Sequence, residues 1–526
     1  MQNDTVNPAI PLKFYIWRFA FDIFISAHTP NSFSVPSLFM PVLRTRFFYF
    51  LLFTAVVSAL LHARIFNMEL VGPHAWRQTQ TQLNIVHFAQ DDFNILNPRV
   101  NSLQEGTDIL RMEFPLFQWL AAGLHRVCGD ALWLTRIFVF LVGLLTLAGM
   151  GKLAREVFDR KKAAPLAAWT LCFSPLFYYY TVNPLPDNLA LCFSTWGAAY
   201  FFTWMKDEKI QTLTGCVFLL TLGMLCKLPF LVYFALFGGW LWKKLREKKL
   251  SGKSFLVTSL VIIAGLALGG AWYLQVIGGG KNNMVTSGML GNTLNASAIF
   301  DILFGNLIST LPEFLLNYGS VLFFVLAVFL FFRKKLFRHK YAAALLCWLA
   351  GVLLYYFFEL NAITLVHDYY LMPFLPLLFL AVSFGALRMF HAGGLSKIVT
   401  LILLVILPLA AFLRCDSRWD EKDPGFNADL LTYKTQLRSA VPPDARIIIG
   451  NDMSANIGFY YTGKKGWNFF DDNLTPERLN DLLGKGAQYL YSDSRKIESD
   501  EKIKPFLGET VGTFGSIHVI RLKNPG

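Results

Sequence analysis

The stretch His74-Ala75-Trp76-Arg77-Gln78-Thr79-Gln80-Thr81 packs an imidazole, an indole, a guanidinium and several side-chain amides directly behind an apolar run. Neither bilayer insertion nor ordinary loop chemistry needs that mixture. Recognition of a phosphate beside a polyol does, because a forked guanidinium matches phosphate oxygens and an indole stacks on a sugar face. An imidazole such as that of His74 suits proton transfer at neutral pH. Three further clusters share this character. Asp108, Arg111 and Glu113 precede Phe114-Pro115-Leu116, Asp187 is the single charge of Asn183-Pro184-Leu185-Pro186-Asp187-Asn188, and His367-Asp368-Tyr369-Tyr370 opens a segment containing Pro373 and Pro376. Lys227, in Lys227-Leu228-Pro229, is a lone cation at a break between apolar runs. Each cluster also has a plainer reading: Trp76, Arg77, Tyr369 and Tyr370 as interfacial anchors, Arg111 as an ion-pair partner of its neighbouring acids, and Asp187 as a helix cap.

The elements that must position these residues are membrane helices. With 526 residues, 54% hydrophobic content and 50 Phe, at a mean hydropathy of +0.44, the chain is too apolar for a soluble globule of its length. Apolar runs near 46–66, 131–150, 163–182, 188–205, 211–226, 229–242, 254–276, 313–332, 341–360, 369–387 and 397–413 predict a polytopic α-helical membrane protein of about eleven spans. Lys and Arg in short loops mark the cytoplasmic side. Lys152, Arg155, Arg160, Lys161 and Lys162 form one such loop; Lys243 to Lys253 and Arg333 to Lys340 form two more, whereas 183–188 and 361–368 hold neither Lys nor Arg. The alternation requires that Phe114 to Val127 lie in the interface or re-enter it instead of crossing. The expected organisation is a cytoplasmic segment 1–45, a membrane domain 46–414 with a large first outer loop 67–130, and an outer α/β domain 415–526. All four polar clusters then share the outer face.

A formal charge of +13 suggests anionic lipid more than nucleic acid, because the excess sits in the cytoplasmic loops. The seven cysteines show no metal-ligand spacing, and Cys128 and Cys415 alone could meet outside. No cleavable signal peptide is evident; Phe14 to Ile25 reads as an interfacial helix, or the chain starts at Met40. Beyond Cys415 the composition turns water-soluble. Asn427 to Ala440 has helical spacing, Ala445 to Ile449 reads as a buried strand, and Thr475-Pro476 opens a capped helix. Gln488 to Tyr491 and Ser516 to Leu522 supply more strands, giving a small α/β module that covers or shapes the outer face.

Together the segments HAWRQTQT, DDFNILNPRV, RMEFPLFQWLAAGLHRVCG, FSPLFYYYTVNPLPDNLALCF and HDYYLMPFLPLL resemble the GT-C membrane glycosyltransferases related to protein O-mannosyltransferases and to the bacterial lipid A aminoarabinose transferase. The resemblance implies a GT-C-like fold, a bacterial inner-membrane location and a periplasmic or lumenal active site. It also implies transfer of a sugar from a polyprenyl-phosphate donor to a lipid, glycan or protein acceptor, usually with inversion. Family members carry an acidic residue soon after the first span, in a Pro-Asp-Glu-x-Arg-like context. Here Pro73-His74-Ala75-Trp76-Arg77 puts His74 in that place, and Gln80 falls where some relatives have another Asp. Glu113-Phe114-Pro115-Leu116 stands for a Lys-Pro-Pro-Leu segment, leaving Arg77 or Arg111 to supply its charge. Asp187 matches the acidic position of the second outer loop. The expected catalytic set is thus Asp187, His74, Glu113 and Asp108, and the expected phosphate-holding set Arg77, Arg111, His367, Tyr369 and Lys227. Asp187 orients the site or a divalent metal ion, for which no ligand spacing is specific. A non-enzymatic transporter or flippase of a lipid-linked sugar is the alternative; it calls for midplane sites and internal repeats, neither of which is seen.

Overall fold

The computed structural model describes residues 46–104, 106–278, 294–365 and 367–524. The expected amino-terminal segment 1–45, including Phe14 to Ile25 and Met40, lies outside the described residues. The chain divides into two compact units, Met1–Leu52 and Phe53–Gly526. Of the first, the described part is the opening of a helix.

A chain this apolar forms helices because, away from water, each backbone N–H must find its acceptor within its own segment. Those helices are α1 (Arg46–Leu61), α2 (Ala75–Gln90), α3 (Leu116–Cys128), α4 (Leu132–Phe158), α5 (Ala163–Cys172), α6 (Pro175–Tyr180), α7 (Pro186–Asp207), α8 (Ile210–Cys226), α9 (Ala235–Arg246), α10 (Gly252–Gly278), α11 (Ala296–Gly305), α12 (Tyr318–Arg333), α13 (Ala342–Phe358), α14 (Leu360–Leu365), α15 (Leu375–Ala392) and α16 (Gly394–Asp416). Among the described residues five stretches are long and apolar enough to cross a membrane: Leu132–Phe158, Gly252–Ile277, Ala296–Leu315, Asp368–Ala392 and Gly394–Asp416. Each expected apolar segment falls on a helix or on a broken pair. Segment 163–182 divides at Ser174-Pro175, and 229–242 starts as a 3₁₀ turn, Leu228–Phe234.

Helix α2, formed by a stretch read only as a polar cluster in the outer loop, was not expected, and neither was α11. Where the apolar pattern places a span from 313, the chain forms α11, continues it as a π-helical stretch Asn306–Leu315, and starts α12 only at Tyr318. Pro312 lies inside the wide turns; a proline has no N–H to donate to the regular ladder, and a π turn accommodates it. Asn306 is bonded to the Tyr356 hydroxyl at 2.7 Å near the end of α13, and Glu313 pairs with Arg414 near the end of α16.

The basic loops gather at one end of the molecule. Asp159 receives both Lys206 at 2.6 Å and Lys340 at 2.9 Å, and Lys244 reaches Glu208 at 2.6 Å. Helices α2 and α3, the 183–185 turn and the carboxy-terminal sheet occupy the other end. Helix α3 takes the place of the non-crossing segment. It is tied to its neighbours by Trp119 donating to the Phe93 carbonyl at 3.0 Å and by His125 bonding Asp130 at 2.9 Å and Thr135 at 2.8 Å.

The carboxy-terminal sheet has strand order β2-β1-β3-β5-β4, from β1 (Arg446–Ile449), β2 (Lys465–Asn468), β3 (Tyr489–Ser492), β4 (Leu507–Phe514) and β5 (Ile517–Leu522). Strands β2, β1 and β3 are parallel; β5 and β4 are antiparallel additions. Strands β2 and β4 were not expected, since Lys465-Gly466-Trp467-Asn468 and the Gly-rich 507–514 lack an alternating pattern. Successive side chains face opposite ways, so Ile447 and Ile449 enter one core and Ile448 the other. The first core also holds Leu70 of the connection after α1 and Ala75 and Leu83 of helix α2. Expected helix 427–440 is broken at Tyr433 into Ala428–Thr432 and Lys434–Ser439. The helix expected at Thr475-Pro476 is present, its Thr475 hydroxyl accepting from the Arg478 N–H at 3.3 Å. Cys128 is exposed and Cys415 buried, and both are free thiols, so the pairing the sequence allowed does not form.

Candidate active site

Helix α2 is polar yet almost wholly buried, with Arg77, Gln78, Thr79, Gln80, Thr81, Gln82 and Asn84 all enclosed. The carboxy-terminal α/β domain covers it, with the short helix Ile457–Thr462 packed against it. Gly72 N–H donates to the Pro424 carbonyl at 2.9 Å, the Tyr461 hydroxyl to the Leu70 carbonyl at 2.9 Å, and Lys434 pairs with Glu69 at 2.5 Å. Between these ties the chain turns through Gly72 at φ +81° and His74 at φ +60° before entering the helix. A Cβ on Gly72 would stand 1.9 Å from the Arg418 carbonyl oxygen, so only glycine fits.

Three residues apart on one helical face, Arg77 and Gln80 hydrogen-bond to each other, and Arg77 also pairs with buried Glu113 from the returning loop. Gln118, on α3, donates to Glu113 at 3.3 Å. Burial opposes charge on Glu113, yet Arg77 and Lys227 hold its carboxyl below the ordinary range. Burial likewise works against charged Arg77, and Glu113 outweighs it, so the guanidinium keeps its proton even more firmly than usual. Asp187 sits in the first turn of α7, where Pro186 starts the helix, and is buried. Its Oδ2 has no hydrogen-bond partner among the described residues and lies 3.6 Å from Lys227 Nζ. Lys227 itself ends α8, its Nζ 5.4 Å from the ring centre of Tyr369 and 5.2 Å from that of Tyr370. Two buried cations and two buried carboxylates therefore converge beside tyrosine faces.

A second constellation adjoins them. His74 Nε2 lies 2.9 Å from Asp368 Oδ1, Tyr180 donates its hydroxyl to the same oxygen, and Arg418 Nη2 reaches Asp368 Oδ2 at 2.5 Å. The His74 ring meets Tyr369 edge to face at 5.0 Å, so the two groups share a wall. His367 packs against Trp76 at 5.6 Å and His74 at 6.1 Å. Burial first, then Lys227, His74 and Arg77, pushes the His367 imidazole down to about 3, so at neutral pH it is an uncharged hydrogen-bonding group.

Of the residues singled out from the sequence, His74, Arg77, Glu113, Asp187, Lys227, His367 and Tyr369 come together. Asp108 and Arg111 do not join them. Asp108 pairs with Arg99 at 2.7 Å and with Lys465 of β2 at 2.9 Å, while Arg111 binds the Leu96 carbonyl at 2.9 Å and Asn97 at 3.2 Å. Sequence reasoning passed over Arg418, Tyr180, Gln118 and the buried carboxylate of Glu359. Arg418 follows the last apolar helix among charges, and Tyr180 and Glu359 sit in runs that read as lipid-facing, so neither pattern nor charge marked them. Among the described residues no group of three His, Cys, Asp or Glu side chains is placed to hold a metal ion, and the ammonium of Lys227 already faces Asp187.

Residues 113–272 match the family model of the dolichyl-phosphate-mannose-protein mannosyltransferases, a stretch containing Glu113, Asp187 and Lys227. Its end, Trp272, donates to the Met112 carbonyl at 3.0 Å, next to its beginning. ArnT from Cupriavidus metallidurans has a similar structure both in the apo state, at TM-score 0.61 and 13% identity over 90% of this chain and 97% of that one, and bound to undecaprenyl phosphate, at 0.61 and 13% over 91% and 98%. The Archaeoglobus fulgidus oligosaccharyltransferase, in complex with Zn and sulfate, matches at TM-score 0.56 and 12% identity over 89% of this chain and 72% of that one. No curated protein sequence gives a significant match. The class is that of membrane proteins with the GT-C glycosyltransferase fold. Residues 113–272 match the mannosyltransferase model, and nine-tenths of the chain shares its fold with ArnT.

Proposed function

We propose that the protein transfers a sugar from a polyprenyl-phosphate-linked donor to a lipid, glycan or protein acceptor, with inversion. In this reading the membrane is a bacterial inner membrane, the basic loops and amino terminus face the cytoplasm, and the site with its covering sheet faces the periplasm. The observation that carries it is the burial of Arg77 and Lys227 side by side with Glu113 and Asp187 at the end of the helices remote from the basic loops.

The chemistry follows from how charge changes. The donor is a phosphodiester with one negative charge, and breaking the bond from phosphate oxygen to anomeric carbon leaves a lipid phosphate with more. Cations fixed beforehand favour the transition state over the bound donor, which is what lowers a barrier. Glu113 and Asp187 hold Arg77 and Lys227 in place before the donor arrives, and the faces of Tyr369 and Tyr370 screen the ammonium from water. The acceptor oxygen or nitrogen attacks the opposite face of the sugar, which requires a base among His74, Asp187 and Glu113. No step is routed through a metal, because Lys227 supplies the positive charge beside Asp187.

The test is incubation of the purified full chain, in lipid nanodiscs, with a panel of labelled undecaprenyl-phosphate-linked hexoses and pentoses and candidate acceptors. The expected result is free undecaprenyl phosphate together with a labelled acceptor. Binding or transbilayer movement of an intact donor would instead support transport and overturn the proposal.

A further inference from the structure

We propose that His74 is the catalytic base of this transfer and that Asp368 is its positioning residue, locked by Tyr180 and Arg418; the assignment rests on the glycosyl-transfer reading above. The position of the protons follows from the partners. A carboxylate only accepts hydrogen bonds, so in the neutral imidazole the 2.9 Å contact of His74 Nε2 with Asp368 Oδ1 favours the tautomer with its proton on Nε2 and a lone pair on Nδ1. Nδ1 has no hydrogen-bond partner among the described residues. Asp368 is fixed from both sides: Tyr180 donates to Oδ1, and Arg418 binds Oδ2 at 2.5 Å. The Arg418 guanidinium is itself stacked 4.3 Å from the Tyr179 ring centre and 4.8 Å from that of Phe314, so the carboxylate cannot swing to another partner without unstacking it.

Two more observations set His74 apart from the other candidates. Its backbone is held at φ +60°, so the imidazole projects from the turn before helix α2 and not from a helix's first turn, as the Asp187 carboxylate does. Glu113 and Asp187 are each engaged with a buried cation, so protonating either one during the reaction would strip Arg77 or Lys227 of its counter-charge. His74 has no such duty. It touches Tyr369, against which Lys227 also rests, and so stands one ring away from the cation beside the departing phosphate.

The step balances within these groups. The acceptor oxygen forms its bond to the anomeric carbon as its proton passes to His74 Nδ1. The bond from the anomeric carbon to the phosphate oxygen breaks, and its electron pair leaves on the lipid phosphate. The imidazolium so formed keeps its Nε2 proton against Asp368, as an orienting acid does in other histidine-based sites.

Because position 74 needs a positive φ, the informative variants are His74→Asn, which tolerates it, and His74→Gly, which prefers it and leaves a space for free imidazole. With undecaprenyl-phosphate-linked sugars as donors, His74→Asn and Asp368→Asn should each lower kcat by about 10²–10⁴-fold with undecaprenyl phosphate affinity unchanged. Added imidazole should restore turnover to His74→Gly but not to Asp187→Gly. Histidine 15N NMR, assigned by difference from His74→Asn, should show His74 carrying its proton on Nε2, and Asp368→Asn should move it to Nδ1. Wild-type turnover in His74→Asn and His74→Gly would overturn the base role, as would loss without imidazole rescue or a proton found on Nδ1 in the wild type. A wild-type protein inert towards every donor would overturn the glycosyl-transfer reading and this one with it, whereas turnover that ignores His74 would overturn this one alone.

Discussion

Ion pairs crowd both ends of this helical bundle, and the two sets have little in common. At the basic end Asp159 bridges Lys206 and Lys340 with side chains 51%, 32% and 48% exposed. At the site end Arg77 and Glu113 are 2% and 7% exposed, and Lys227 and Asp187 10% and 2%. Water and salt screen the first set, so its pairs contribute only about 0.2–1 kcal/mol each. Burying the second set costs more than pairing it returns, unless the pairs serve something besides stability. A fold that needed only rigidity would place apolar side chains there. The difference teaches that charge at the basic end is left to water while charge at the site end is enclosed, and on the proposed glycosyl-transfer reading the first serves topology and the second chemistry.

The sharpest way to break that comparison is to separate charge pairing from catalysis at the Lys227–Asp187 pair. Lys227→Met keeps the bulk of the side chain and leaves Asp187 buried without its counter-charge, which should cost about 3–5 kcal/mol in detergent unfolding. It should also lower donor cleavage by about 10²–10³-fold through loss of the phosphate's cation. Adding Asp187→Asn should recover most of the stability and none of the turnover. If the double variant turned over normally, the pair would be structural and the contrast between the two ends would collapse.

Next in size is the hinge that lets helix α2 meet the last membrane helix. Gly72→Ala places a methyl group into the Arg418 carbonyl and forces an alanine to φ +81°, so we expect a loss exceeding about 1 kcal/mol. Because Arg418 holds Asp368, kcat should fall further than donor affinity. Equal loss of both would mean that Gly72 matters for covering the site and not for aligning it.

How much of this could be read from the sequence differs by region for physical reasons. Uncharged apolar runs and loop charge bias specified the helical bundle and the common end of the polar clusters, because lipid leaves few alternatives. The His74, Arg77, Glu113, Asp187 and Lys227 convergence was anticipated because each is a charge or imidazole beside an apolar helix, where such groups are expensive. Arg418, Tyr180 and Asp368 were opaque as a set: they come from three separate loops or helix ends, and only tertiary packing brings them to His74. Asp108 misled for the reverse reason. It looks catalytic in sequence beside Arg111 and Glu113, but the loop turns it towards β2, a strand whose Lys465-Gly466-Trp467-Asn468 gives no alternating signal.

That placement gives a smaller, pH-dependent test. Burial works against the Asp108 carboxylate, yet Lys465 and Arg99 hold it below its ordinary value of 3.8. A carboxyl lowered in the folded state contributes fully above its unfolded value and loses that contribution as pH falls through the lowered one. Protection against hydrogen exchange, after correction for the intrinsic pH dependence of the rate, at the Leu103 and Gly466 amides, which join loop to strand at 2.7 and 3.0 Å, should stay constant from neutral pH down to about 5 and fall below about 4. Asp108→Asn should remove the pH dependence, cost about 1 kcal/mol and leave turnover intact, in contrast to any change at Glu113. Lost turnover at full loop protection would return Asp108 to the catalytic set.

The smallest effect is expected at the end without chemistry. Asp159→Asn weakens two lysine contacts at once, yet both lysines remain solvated, so the cost should stay within about 0.5 kcal/mol and shrink further in high salt. Donor cleavage should match the wild type. Lys206 and Lys340 are thereby the control for Lys227: the same residue type in the same bundle, with one in a buried pair and two in water. Should Asp159→Asn slow turnover without unfolding the protein, the basic end would have to be coupled to the site through the helices that connect them. The distinction between topological and chemical charge would then give way to a single network.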